Sequence, residues 1–77
     1  MDYDPRTDET AAALKRQIEF ELSSTKIRTD FLVGLIGDRY FCVFPRISTA
    51  YQVDIFEELI KEHGQNSDSL QDLLRHA

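Results

Sequence analysis

Apolar positions in the first third of the chain recur at helical spacing. Ala11, Leu14, Ile18 and Leu22 form one stripe when successive residues turn by about 100°. The stripe predicts a helix with Thr7 as N-cap and Asp8 and Glu9 in the first turn, where the helix dipole favours acids, ending at about Ser23. Phe20 lies off the stripe, on the side of Ala13, Gln17 and Ser24. The helix therefore has two faces to explain, a core face and one that mixes an aromatic with an amide. Burial on two sides would explain the second face. So would a bound ligand, because an aromatic beside an amide can stack on a base and hydrogen-bond its edge.

Ser23, Ser24 and Thr25 interrupt this helix. Ile27, Phe31 and Leu35 then recur every four residues, with Leu32 and Ile36 widening the stripe, which predicts a second helix over residues 26–36. Gly34 weakens it, and Gly37-Asp38 reads as its stop and turn. Residues 39–44, Arg-Tyr-Phe-Cys-Val-Phe, are aromatic and β-branched and are closed by Pro45, which predicts a strand. Ser48 suits the N-cap of a third helix over residues 49–63, with Gln52, Phe56, Leu59 and Ile60 on its stripe and Gly64 after its end. Ser67 or Ser69 then caps a short final helix carrying Leu70, Leu73 and Leu74. The expected fold is mainly α with minor β, a small winged-helix-like or helical-bundle domain. Residues 1–6, with Pro5 and no periodicity, are expected as a flexible N-terminal segment and residues 7–77 as a single small helical domain.

Composition narrows the class. Seventy-seven residues allow one modest core. Eight aromatics, five Phe and three Tyr, argue against wholesale disorder. The single cysteine, Cys42, excludes an intrachain disulfide and a Cys-rich metal site, and it fits a reducing compartment. No apolar run is long enough for a membrane span, and the N-terminus is acidic, so an intracellular location, cytoplasmic or nuclear, is expected.

The net charge of −5 disfavours non-specific nucleic-acid binding, yet the acids concentrate at the two ends. Residues 14–46 carry six bases and four acids, which leaves room for a local cationic site involving Arg28, Arg39 or Arg46. Asp54, Glu57, Glu58 and Glu62 form an acidic helix face, solvated or turned to a basic partner. His63 and His76 suit helix C-termini, and Cys42 sits in the most apolar segment as a small hydrophobe. No metal-ligand spacing, phosphate loop or nucleophile–base pair is present, so the reading is of a protein that is not an enzyme and takes no cofactor and no metal.

Gln17, Ile18, Glu19, Phe20, Leu22 and Ser23, followed by Ile27, Asp30, Phe31 and Leu32, resemble the opening of the La motif, an RNA 3′-end-binding winged-helix family. The resemblance spans residues 14–47. It departs from the family pattern at Glu21, where a second aromatic is usual, and in the adjacency of Asp30 and Phe31. It implies single-stranded RNA as partner, with Gln17, Phe20, Asp30 and Phe31 lining the pocket; Arg28 and Arg39, read from their place near the apolar middle, are candidate phosphate or stacking contacts for that RNA. The alternative from composition is a protein–protein interaction or self-assembly module, with a protein partner or a homodimer completing a small core.

Overall fold

The computed structural model describes residues 2–23, 25 and 29–63. A 3-10 turn, Pro5–Thr7, leads into helix α1, Glu9–Leu22. Strands β1 (Leu32–Ile36), β2 (Arg39–Phe44) and β3 (Thr49–Gln52) follow, then helix α2 (Val53–His63). The three strands form an antiparallel meander in the order β1-β2-β3. Both helices pack on one side of it, α1 against β1 and α2, and α2 against β2 and β3. The domain is thus a small α+β fold, which corrects the expected mainly α winged-helix or bundle class.

Two misread segments account for the difference. Residues 26–36 matched a helical stripe, but Leu32–Ile36 is a strand. An unbroken apolar run fits a buried helix and a buried strand equally by periodicity. The two-residue Gly37-Asp38 link between apolar runs decides it. Gly37 takes φ +66°, and Ile36 pairs with Arg39 in a tight hairpin. Residues 49–52 fall within the predicted third helix, yet they pair with Phe41 to Phe44 as β3. Ser48 is no helix cap. It occupies the left-handed region (φ 53°, ψ 40°) and turns the chain after Pro45, which has no N–H to continue the ladder. The helix proper begins at Val53.

The first helix, the strand at residues 39–44 and the last turns of α2 match expectation. The cap of α1 is Asp8 rather than Thr7. The expected final helix over Leu70 to Leu74 lies outside the described residues, as does His76.

The core lies between helices and sheet. Ala11, Ile18 and Leu22 of α1 meet Val33, Cys42 and Phe44 of the sheet and Val53, Phe56 and Ile60 of α2. Val33, Cys42 and Tyr51 are directly opposed across the three strands, so they share the helix-covered face. Phe44 is the hub. Its ring centroid lies 5.1 Å from Phe56, 5.7 Å from Phe31 and 6.0 Å edge-on to Tyr51. The opposite face carries Leu32, Ile36, Phe41, Val43 and Ala50.

Candidate functional site

Among the described candidate positions, Asp30 and Phe31 line one groove and Arg39 borders a separate hollow. Phe20 sits on the outer side of α1 and Gln17 on the flank toward α2. Phe20 follows Ile18 by two positions, about 200° round the helix, and its side chain is 80% exposed. Gln17 is turned toward α2, where its Nε2 donates to Glu57 Oε1 at 3.5 Å. Phe31 is only 6% exposed, packed against Phe44, with Lys15 Nζ 5.6 Å from its ring centroid. Asp30, its neighbour, is exposed, and the two line an open groove of about 770 Å³ with Glu19, Leu22, Pro45 and Arg46. Arg39 stands at the start of β2, 3.9 Å from Asp38, beside a separate hollow of about 380 Å³ bounded by Leu14, Tyr40 and Asp54. Arg28 lies outside the described residues.

The arrangement follows from helix geometry. Residues of α1 on one flank (Lys15, Glu19, Leu22) look toward Phe31 and the groove. Gln17 looks the other way, toward α2, and Phe20 points outward between the two flanks. Spacing in sequence separates Phe20 from the core stripe, as read. It cannot show that the chain would fold Phe31 inward.

What the structure brings together is the Gln17 and Glu21 side of α1 with the acidic side of α2. Glu57 is the centre of negative charge. Partial burial pushes its carboxyl pKa up, and the neighbouring Glu21, Asp54 and Glu58 carboxylates push it further, against the opposing Lys61. Lys61 Nζ is 3.9 Å from Glu58, a loose exposed pair. The result is a helical surface with an amide and an aromatic on α1 and closely spaced acids on α2.

A second cluster was not legible as such. Asp8 caps α1 through Oδ1, which accepts from the backbone N–H groups of Thr10 (3.0 Å) and Ala11 (3.2 Å). Its Oδ2 accepts the hydroxyls of Tyr3 (2.6 Å) and Tyr40 (2.9 Å). These donors, Tyr3 first, hold the Asp8 carboxyl below its ordinary pKa. Asp8 read only as a first-turn acid, because its tyrosine partners are fixed by tertiary folding. The Cys42 thiol is fully buried, and burial, helped by Glu57, pushes its pKa to about 12.

Among the described residues no group of three or more His, Cys, Asp or Glu side chains could hold a metal ion. No helix among them is long and apolar enough to cross a membrane. Fold and surface together define a small α+β domain with two helices on one face of a three-stranded meander and an acidic, aromatic helical surface. Neither a protein-family model, nor a curated protein, nor a solved structure matches this chain.

Proposed function

We propose that this domain is a non-catalytic protein-interaction module. Its contact surface is the outer side of α1 and α2, and its partner is a basic amphipathic segment of another protein. The observation that carries the reading is Phe20, a large apolar side chain left 80% exposed one helical turn from Gln17, the residue that meets Glu57 of α2. An exposed aromatic is the usual anchor of an interface, and crowded carboxylates favour a partner bearing Lys or Arg. Gln17, held to Glu57, adds an amide for hydrogen bonding at the junction.

The same charge weighs against RNA. A phosphate backbone brought to Phe20 and Gln17 would run beside Glu21, Asp54, Glu57 and Glu58, where it is repelled. Phe31 is only 6% exposed and packed against Phe44 with Lys15 near its ring, so it offers a base little surface to stack on. The open face of the sheet, where Leu32 and Ile36 are half-exposed, is the competing protein surface. An intracellular setting, cytosol or nucleus, accords with one buried thiol and no disulfide.

The test is fluorescence anisotropy with a labelled helical peptide of leucine on one face and lysine on the other. Controls are a same-charge peptide lacking the leucine stripe and a short single-stranded RNA. The amphipathic peptide is expected to bind, more weakly at high salt, and Phe20→Ala should weaken it by about tenfold or more. Binding of the RNA in preference to the peptide, or equal binding by Phe20→Ala, contradicts the reading.

A further inference from the structure

The two outer edges of the sheet are unlike. β3 is four residues long, bounded by the left-handed Ser48 on one side and the start of α2 on the other. β1 is longer, and the N-terminal residues lie along it. The Leu35 N–H points away from β2 and donates to Tyr3 Oη at 3.1 Å. Tyr3 Oη passes its own hydrogen to Asp8 Oδ2 at 2.6 Å. Pro5 rests against the strand as well. A Cβ placed on Gly34 would lie 3.5 Å from Pro5 Cβ and 3.7 Å from the Tyr3 ring. Asp8 is itself fixed twice over, by capping α1 and by the Tyr40 hydroxyl from β2.

The strand beneath has the composition of a self-pairing segment. Residues 31–36, Phe-Leu-Val-Gly-Leu-Ile, are six in a row with no charge, no proline and one glycine. An open edge of this kind recruits another strand, and natural sheets cover or charge such edges. Here no charge stands in the strand. The cover is a tyrosine hydroxyl, whose oxygen accepts from Leu35 where the carbonyl of an added strand would.

We propose that residues 2–8 are an intramolecular guard over the β1 edge, latched by the Tyr3–Asp8 hydrogen bond. When the guard is released, β1 of a second copy of this chain takes its place. The occupant is a second copy because the window is uncharged and apolar throughout, so its complement in a ladder is a strand of the same kind. This surface is separate from the α1–α2 face.

The experiment uses the full chain with Tyr3→Ala and Pro5→Gly combined. It reads sedimentation against concentration and hydrogen exchange at the Leu35 amide. The unsubstituted chain should not assemble through β1 and should protect Leu35. The variant should lose that protection when dilute, regain it as concentration rises, and sediment as dimers or larger species. Adding Leu32→Lys and Ile36→Lys, at positions that are 50% and 53% exposed, should return it to monomer. Tyr3→Phe covers the case in which the double variant fails to fold. It keeps the ring, and Leu35 should exchange faster while Phe44 does not. A folded double variant that stays monomeric at every concentration overturns the proposal. So does unchanged Leu35 exchange in Tyr3→Phe, or an unsubstituted chain that already assembles through β1.

Discussion

Asp8 Oδ2 accepts the hydroxyl of Tyr40 at 2.9 Å, across 32 residues of sequence, while Asp8 Oδ1 caps the first turn of α1. One carboxylate thereby sets where the helix starts and fixes that start to the central strand of the sheet. Tyr3 joins at the same oxygen and brings the N-terminal segment with it.

This junction makes stability depend on pH in a defined sense. The Asp8 pKa is lowered in the folded chain, mainly by the Tyr3 hydroxyl, from the ordinary 3.8. Its contribution is therefore present above that value and is lost as pH falls through the depressed one. Asp8→Asn should be less stable than the parent at neutral pH and should lose less on acidification. Denaturant midpoints across a pH series check this, and equal midpoints at neutral pH would contradict it.

Glu57 has the opposite sign. Its pKa is raised, by partial burial first and then by the carboxylates around it, from the ordinary 4.5. The favourable contribution is present below that value and is lost as pH rises through the raised one. Glu57→Gln keeps an oxygen to accept from Gln17 and removes the charge. It should raise the thermal midpoint at neutral pH and leave it nearly unchanged in acid. A lower midpoint at neutral pH would count against the crowding described.

Cys42 should be chemically silent while the chain is folded. Its thiol is buried and its pKa is pushed up to about 12, so the reactive thiolate is scarce. A thiol reagent at mildly alkaline pH should label it only after denaturant is added. Equal labelling rates in the native and denatured chain would refute this.

Two phenylalanines separate stability from binding. Phe44 is fully buried and touches Phe31, Tyr51 and Phe56. Phe44→Ala should cost ~3–5 kcal/mol, enough to unfold a domain this small. Phe20→Ala, at an exposed site, should change stability by no more than about 0.5 kcal/mol. Urea unfolding of both variants tests the contrast, and a large loss in Phe20→Ala would mean the side chain has a structural partner.

Much of the framework is legible from local pattern. The Ala11–Leu14–Ile18–Leu22 stripe has one reading, and the core bears it out. Residues 39–44 closed by Pro45 also read correctly. Leu32–Ile36 does not, because its apolar run fits a helical stripe as well as a buried strand and its identity depends on pairing with β2. Residues 49–52 fail for the same reason. Thr-Ala-Tyr-Gln becomes a strand because β2 offers a second edge and Tyr51 fills a place against Phe44 and Phe56. At the candidate site, helical spacing set Phe20 apart from the core. The burial of Phe31 and the tyrosine partners of Asp8 arise only from tertiary contacts.

If the Phe20 side of the helices receives a basic protein segment, NMR amide-shift mapping will locate it, with the leucine–lysine helical peptide titrated into one labelled sample and short single-stranded RNA into another. Peptide-dependent shifts should be confined to residues 13–21 and 54–61 and absent in Phe20→Ala, with no shifts there from RNA. Shifts from RNA at Gln17 and Phe20, or peptide shifts confined to the open face of the sheet, would contradict it.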